Sequence, residues 1–305
     1  MKLLKFRNSL AALCCAFLLA SPIQGFAEPQ SNTAGEQTIS RAVEEDVQAK
    51  ADNKTADRRK KIMQDAVEAL EATNDALAAL DEERIEDALE SLAVATGKLE
   101  LLVARDPDLA LAPTSVAVST YDIYGSSSAI KSAIAEASDA LKSGDVQAAR
   151  KLLSGLRSET VISVTNIPLA TYPAAIKAIT PLIDEGKVEA AKRDLQAALS
   201  TLVVVNHSVP LPVLRAAGLL EQAENLAEKS DRSDEENAQL ADHLSAARTQ
   251  LKIAELLGYT SEAESRELYD QLDEIANRTR DGASGEGFFD TIENSLTDLW
   301  DSVSG

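Results

Sequence analysis

Two stretches of the sequence repeat one another at a spacing of 42 residues, without an insertion or deletion between them. The matched positions include a turn glycine, a strand valine and a Pro-Leu pair. Two alanine-rich helices can look alike through their composition alone, but composition does not explain these further matches. A repeat constrains the fold because each copy must form the same supersecondary unit. The matched residues are Gly144, Val146, Ala148, Ala149, Leu153, Ser158, Val161, Pro168 and Leu169 in the first copy, and Gly186, Val188, Ala190, Ala191, Leu195, Ser200, Val203, Pro210 and Leu211 in the second.

Each copy of the repeat, about 128–169 and about 170–211, predicts a helical hairpin followed by a strand. Apolar residues recur at helical spacing on both sides of Gly144 and Gly186, and a run rich in β-branched residues follows each hairpin. A hairpin over 62–102 is interpreted as a degenerate third copy. We therefore expect a mainly α fold of duplicated helical hairpins packed as a bundle, with a small β element. Its strand-like runs lie near 115–124, 160–167 and 202–209.

The segments outside the repeat complete the predicted domain organisation. Ser233 with Glu236, and Ser261 with Glu264, have the spacing of a capping box and predict the starts of two further helices. Residues from Glu28 to about Lys54 are polar and lack hydrophobic periodicity. The predicted segments are a signal peptide over 1–27, a flexible leader over 28–55, a helical core over 56–257, an additional helix over 258–280, a glycine-rich hinge over 281–287 and an amphipathic terminal helix over 288–302.

The first 27 residues have the pattern of a secretory signal peptide. A short basic region precedes the apolar run from Leu10 to Ala20, which is too short to span a membrane. We expect cleavage between Ala27 and Glu28. Cys14 and Cys15 are the two cysteines of the chain, and neither follows a small residue as lipoprotein processing requires. Cleavage would leave a processed chain without thiol or disulfide chemistry.

The chain is strongly acidic, and its charge excludes several classes of partner. It carries 30 basic and 50 acidic residues, a formal net charge of −20. Nucleic acids and anionic membrane surfaces are therefore not expected as partners, and no second long apolar run predicts a membrane span.

No set of residues predicts catalysis, a cofactor or a metal site. Ser128 and Lys131 match the S-x-x-K pattern of penicillin-binding enzymes, but the companion K-T-G is missing and the surrounding chain predicts no α/β framework. His207 and His243 lie on different elements and not in a metal-binding pair, so each is interpreted as a structural imidazole. We expect a protein that is not an enzyme and has no cofactor.

The predicted terminal helix presents an apolar stripe that includes the single tryptophan of the chain. Such a stripe has to be buried, either on its own chain or on a partner that the preceding glycines allow it to reach. The candidate partner-binding surface consists of Phe288, Phe289, Ile292, Leu296, Leu299 and Trp300.

The chain resembles a known family at two equivalent segments, 167–173 (IPLATYP) and 209–215 (VPLPVLR), together with the hairpins that precede them. These segments, within a likeness extending over about 56–257, resemble the YfdX family of bacterial exported proteins. The resemblance implies a periplasmic, largely helical protein with a small β element, linked to acid and envelope stress and proposed to act as a chaperone. It supplies no catalytic residues.

The leading hypothesis is a periplasmic stress-related protein with chaperone-like, acid-responsive binding of exposed apolar segments. Secretion is the alternative to a periplasmic location. A small-molecule binder or sensor of the envelope, with its ligand between the duplicated hairpins, is the alternative function, and a structural or oligomer-forming protein is the third. The candidate partners are accordingly unfolded or stressed client proteins, a small molecule or further copies of the chain.

Overall fold

The fold is known from a computed structural model that describes residues 41–123, 125–229, 231–280, 283 and 287–304. The predicted signal peptide, its cleavage site at Ala27 and Glu28, the leader as far as residue 40 and most of the predicted hinge lie outside these residues. The helices are α1 (Arg41–Lys60), α2 (Gln64–Asp81), α3 (Ile85–Arg105), α4 (Ser127–Lys142), α5 (Val146–Ser154), α6 (Tyr172–Lys177), α7 (Ile179–Asp184), α8 (Val188–Leu199), α9 (Leu211–Ala227), α10 (Asp234–Leu257), α11 (Glu262–Arg278) and α12 (Asp290–Ser304). The strands are β1 (Leu111–Tyr121), β2 (Glu159–Pro168) and β3 (Val203–Pro210).

The predicted fold class is confirmed: the described chain is mainly helical, with a small antiparallel sheet in the order β1-β2-β3. The central strand places Val164 between Val116 and Val205, and Ile162 between Val118 and His207. The side of β2 that carries Ile162 and Val164 is buried. The other side is half-buried at Ser163 and Thr165 but carries the buried Ile167 near its end, so both faces of β2 contact apolar residues.

Three successive units share the order helix, turn, helix, strand. They are α2–α3–β1, α4–α5–β2 and α6–α7–α8–β3. Each turn has one residue with positive φ at the matching position: Glu83 at 59°, Gly144 at 80° and Gly186 at 74°. In all three turns that residue and the next donate backbone hydrogen bonds to carbonyls in the last turn of the preceding helix. This is the closure expected at a left-handed helix C-terminus, so the three turns are one local structure.

Two prolines make the units differ from the predicted pattern. The first helix of the third unit is divided into α6 and α7, because Pro181 has no N–H for the carbonyl four residues before it. Pro113 lies inside β1, where the pairing with β2 shifts register next to it. β1 is an edge strand, and edge strands tolerate proline.

Buried apolar side chains form two clusters. The hairpin core joins the first and third units, and the terminal core joins α1, α9, α10, α11 and α12. Strand β2 contributes to both, through Ile167 and Ile162 respectively. The hairpin core includes Leu80, Leu92, Leu99, Leu102, Ile167, Tyr172, Ile176, Ile179, Ile183 and Leu195. The terminal core includes Val43, Val47, Ile162, Leu214, Leu219, Leu220, Leu240, Leu244, Leu251, Leu268, Leu272, Phe289, Ile292 and Leu296.

The two predicted capping boxes are confirmed at the starts of α10 and α11. The Ser233 and Ser261 side chains each accept a hydrogen bond from the backbone N–H of the glutamate three residues later, and each glutamate accepts one from the serine N–H. These contacts satisfy N–H groups that a helix start otherwise leaves unpaired.

The prediction of a flexible leader is wrong from Arg41 onward, because α1 is a packed helix. Its buried residues, Val43, Val47, Ala51 and Thr55, recur at every fourth position. This stripe is narrow and the rest of the helix is polar, which is why the sequence shows so little periodicity. Gly218 of α9 lies against α1, since a Cβ added there would be 3.1 Å from Cγ1 of Val43.

We predict that Gly218→Val lowers the free energy of unfolding by about 1–3 kcal/mol, because added volume at a close helix contact forces the helices apart. Gly97→Val is the matched control, since nothing lies within 4 Å of a Cβ added at Gly97 of α3. Urea unfolding followed by circular dichroism measures both. Equal effects of the two substitutions would contradict close packing of α1 on α9.

Candidate functional site

The terminal helix packs on its own chain, so the candidate partner-binding surface is wrong as a free surface. Phe289, Ile292, Leu296 and Leu299 are at most 6% exposed. Phe288 and Trp300 are partly buried against the same terminal core. α12 lies against β3, α9 and α11, which supply the apolar cover that its stripe requires.

Beside this contact lies a groove between α1, α9 and α12, with a volume of about 570 Å³. We call it the α12 groove. It is lined by Lys50, Asn53, Lys54, Asp57, Val213, Leu214, Ala217, Glu221, Glu224, Glu293, Leu296, Thr297 and Trp300.

The α12 groove is amphipathic. Its apolar lining includes Leu214 and Leu296, which belong to the terminal core. The Nζ of Lys54 lies 5.3 Å from the centre of the Trp300 ring, a cation–π distance that connects α1 to α12. Glu224 of α9 and Glu293 of α12 add acidic groups where these two helices meet. The groove therefore offers apolar surface together with charges of both signs.

Glu224 is held in an environment that favours its protonated form. Burial, and then the neighbouring carboxylate of Glu293, raise the pKa of Glu224 to about 7. Glu228 and Asp290 add further negative charge nearby. Two close carboxyls avoid repulsion when one is protonated and can donate a hydrogen bond to the other. The charge of the groove consequently changes close to neutral pH.

A second cluster of charges holds the other end of α1 to α9. Arg215 of α9 donates from Nη1 to Oδ1 of Asp122 at 3.0 Å and from Nη2 to Oδ2 at 2.6 Å. The same guanidinium donates from Nε to Oε1 of Glu44 in α1 at 2.8 Å. The side chains of Arg215 and Asp122 are only 11% and 12% exposed. We call these three residues the Arg215 clamp.

The Arg215 clamp is hydrogen-bonded to the residue that precedes strand β2 of the sheet. Ser158, which precedes β2, donates from Oγ to Oδ1 of Asp122 at 2.6 Å, and its backbone N–H donates to the Tyr259 hydroxyl at 3.0 Å. Burial alone would raise the pKa of Asp122, but the hydrogen bonds from Arg215 and Ser158 outweigh it and lower that pKa below its ordinary value. Asp122 therefore stays ionised in mild acid, where Glu224 becomes protonated.

The remaining residues considered from the sequence do not come together. Nδ1 of His207 lies 3.1 Å from a guanidinium nitrogen of Arg58, which joins β3 to α1. His243 is on α10, where burial lowers its pKa. Ser128 and Lys131 are at the start of α4, where the Ser128 hydroxyl hydrogen-bonds to that of Ser126 at 2.8 Å.

Sequence reasoning included Leu296 and Trp300 of the α12 groove but missed the residues that α1 and α9 contribute to it. Lys50 and Lys54 lie in the segment that was predicted to be a flexible leader. Glu221, Glu224 and Glu228 form an acidic stripe on α9 at helical spacing, which the sequence alone does not distinguish from a solvated face. Glu224 is unusual because of its burial and because of Glu293, which lies 69 positions later in the chain.

Comparison with known proteins places the repeat region in a family. The family model described as YfdX protein matches residues 69–208. These residues belong to the YfdX family. The YfdX match contains most of the hairpin core and of the sheet, whereas the α12 groove is formed by α1, α9 and α12, all of which lie outside it. The family assignment therefore concerns the scaffold and does not extend to the groove.

One solved structure similar to this chain is that of YfdX from Salmonella Typhi. It is 20% identical over a match that covers 49% of this chain and 93% of that chain, with a TM-score of 0.35. No curated protein matches the chain. In the part of the chain that the structure describes, no helix has the length and apolar character needed to cross a membrane.

We predict that contact between α12 and α9 weakens as the pH rises through about 7. A raised carboxyl pKa contributes stability that is fully present below the unfolded pKa and is lost above the folded one. The fluorescence of Trp300, the single tryptophan, should change between pH 6 and pH 8. Glu224→Gln should remove this change, whereas Glu71→Gln on the exposed side of α2 should not. A change that survives Glu224→Gln would contradict the assignment.

We predict that Arg215→Met lowers the free energy of unfolding by about 3–5 kcal/mol, because it leaves the buried Asp122 carboxylate without its partner. Removing both charges with Arg215→Met and Asp122→Asn should restore part of the loss. Arg266→Met is the control: it removes an ion pair with Glu262 whose side chains are 71% and 83% exposed, and should cost less than about 1 kcal/mol. Urea unfolding at neutral pH measures all three, and similar losses for both arginines would refute the clamp.

Proposed function

We propose that this protein is a periplasmic, non-catalytic binding protein of the bacterial envelope that holds apolar segments of stressed client proteins in the α12 groove. Acid strengthens this chaperone-like binding. The observation that supports it is the position of Glu224, with a pKa of about 7, at the side of a groove lined by Leu214, Leu296 and Trp300. The predicted signal peptide over 1–27 and membership of the YfdX family support the location.

The lining of the groove suits an apolar chain segment better than a rigid polar ligand. Ala217 and Trp300 provide partly exposed apolar contact beside the buried Leu214 and Leu296, and the Lys50 and Lys54 stems extend it. The net charge of −20 keeps a complex with an aggregation-prone client soluble through repulsion between complexes.

Acid acts on binding through the charge of the groove. At pH above 7 an apolar segment that covers Glu224 would bury a carboxylate, which is unfavourable. Below pH 7 the group is neutral, so burial costs less and repulsion from Glu293 falls. Binding and protonation are thus coupled, and affinity for an apolar segment increases as the pH falls through about 7.

The Arg215 clamp explains how this response occurs without loss of the fold. The lowered pKa of Asp122 means that its contribution to stability is present above its unfolded pKa and is lost only as the pH falls through its folded value. Between the pKa of Glu224 and that of Asp122 there is a window in which the groove is protonated and the clamp is intact. We place the activity in that window.

The test is suppression of client aggregation at pH 5.5 and pH 8, with the purified protein in equimolar amount. We expect suppression at pH 5.5 and much less at pH 8. Ala217→Asp, which places a charge at a partly exposed position of the apolar lining, should abolish suppression. Glu224→Gln should allow suppression at pH 8, and Glu71→Gln should behave as the unchanged protein. Circular dichroism confirms that each variant remains folded.

Two results would contradict the proposal. The first is no suppression at either pH by the folded protein. The second is suppression that Ala217→Asp leaves intact, since the client would then bind elsewhere on the chain.

A small amphipathic molecule is the second candidate occupant, favoured by the presence of Lys50 and Glu293 in one groove of about 570 Å³. This differs from the hypothesis of a ligand between the duplicated hairpins, because the groove is formed by α1, α9 and α12. A bound molecule should raise the thermal midpoint and change Trp300 fluorescence, and both effects should be lost in Ala217→Asp. A screen of envelope metabolites without such a hit counts against it.

A further inference from the structure

A second groove lies between α10 and α11, and it shares no lining residue with the α12 groove. Its volume is about 410 Å³. Sites for small molecules usually have volumes of about 300–1,000 Å³, so this groove has the size of a small-molecule site. We call it the α10 groove. It is lined by Asn237, Leu240, Ala241, Leu244, Ser245, Arg248, Leu272, Asp273, Ala276, Thr279 and Arg280.

Small side chains on the two helices keep the α10 groove open. Ala241 of α10 and Ala276 of α11 are both exposed and leave space between the helices. The groove also reaches Leu244 and Leu272, which are at most 6% exposed and belong to the terminal core. Because the core holds these leucines in place, the apolar part of the groove exists before any ligand binds.

The groove is elongated along α10. Its lining begins at Asn237 and ends at Arg248, which are eleven residues apart on that helix. At 1.5 Å per residue this separation is about 16 Å. An extended ligand therefore fits the groove better than a compact one.

The charges at one end of the groove balance each other. Arg248 donates a hydrogen bond to the Asp273 carboxylate and a second one to the Tyr269 carbonyl at 3.3 Å. Its guanidinium also lies 5.3 Å from the centre of the Tyr269 ring. The positive charge of Arg248 is thus paired with the acidic residue of the lining, and this end is close to neutral.

The other end of the groove is positively charged and rich in donors. Nη2 of Arg280 donates to Oδ1 of Asn277 at 2.8 Å, and no carboxylate among the described residues forms an ion pair with Arg280. Nε of Arg232 donates to Oδ1 of Asn237 at 2.9 Å, so the Asn237 amide keeps its NH₂ group as a donor. Arg232 also donates to the Thr279 carbonyl at 3.2 Å, which joins the end of α11 to the start of α10. Arg280 and Asn237 therefore lie at the same end.

We propose that the α10 groove binds a small monocarboxylate with an elongated apolar body, such as a medium-chain fatty acid. The carboxylate accepts hydrogen bonds from Arg280 and Asn237, and the apolar chain lies along Ala241 and Ala276 towards Arg248. Hydrogen bonds between a guanidinium and a carboxylate are about twice as strong as those between neutral groups.

The charge of the lining selects an anion even though the whole chain is acidic. The lining carries two arginines and one aspartate, whereas the chain has a net charge of −20. At physiological ionic strength the Debye length is about 8 Å, so the nearest charges dominate the interaction. A cationic amphiphile meets an uncompensated arginine, and a neutral one leaves that arginine without a partner.

Equilibrium dialysis of the purified protein at pH 7.5 tests the proposal, with decanoate below its micelle-forming concentration as the probe. We expect decanoate to bind at one site, and decanol and decyltrimethylammonium to bind at least about tenfold more weakly. Arg280→Gln should raise the dissociation constant of decanoate about tenfold, because it removes the charged donor. Arg266→Gln is its control on α11, since Arg266 is exposed and lies outside the lining.

Ala276→Leu tests the apolar part of the groove. The larger side chain occupies the space of the ligand, so decanoate binding should fall about tenfold or more. Because Ala276 is exposed, thermal unfolding followed by circular dichroism should match that of the unchanged protein. Ala135→Leu, at an exposed position of α4, is the control and should bind decanoate normally.

Three results would overturn the proposal. They are no binding of decanoate, equal binding of decanol, and binding that both Arg280→Gln and Ala276→Leu leave intact. Ala217→Asp separates the two grooves, since it changes the α12 groove and should leave decanoate binding unchanged. Loss of decanoate binding in Ala217→Asp alone would place the ligand in the α12 groove and contradict the assignment. Suppression of client aggregation is a separate measurement, so either proposal can fail without the other.

Discussion

The Arg215 clamp is the interaction on which the rest of the arrangement depends. One guanidinium on α9 connects Glu44 of α1 and Asp122 after β1, and Asp122 connects onward to Ser158 before β2. α1 has a narrow apolar stripe, so its position also requires a polar anchor at one end. Because Arg215 and Asp122 are nearly buried, their charges are stable only together. The clamp therefore fixes α1 against α9, and the groove between them exists as a consequence.

The clamp and the groove respond to protons in opposite directions. Hydrogen bonds to Arg215 and Ser158 lower the pKa of Asp122, whereas burial and Glu293 raise that of Glu224. The same type of side chain thus serves as a permanent anion at one end of α9 and as a neutral group in mild acid at the other. This difference comes from the neighbours of each carboxyl, and it allows charge in the groove to change while the scaffold stays fixed.

Repetition explains both the order and the asymmetry of the scaffold. The three turns have the same positive-φ geometry, and the three strands form one sheet. An odd number of hairpins cannot all pair face to face, however. The first and third units cover each other in the hairpin core, and the middle unit turns its corresponding apolar positions outward. α12, which is not part of the repeat, covers the other large apolar surface from the same chain.

The sequence by itself determined the hairpin–strand unit, the turn at Gly144 and Gly186, and the capping boxes at Ser233 and Ser261. Each depends on contacts within a few residues, and local composition specifies such contacts directly. It did not reveal that α1 is a packed helix, since four buried residues among many polar ones leave little periodicity. Only the tertiary structure decided that Phe289 lies in the core, that Glu224 meets Glu293 and that Leu153 is exposed while Leu195 is not. The burial and the pKa of a side chain depend on which distant segments of the chain pack around it. A local sequence pattern does not contain that information.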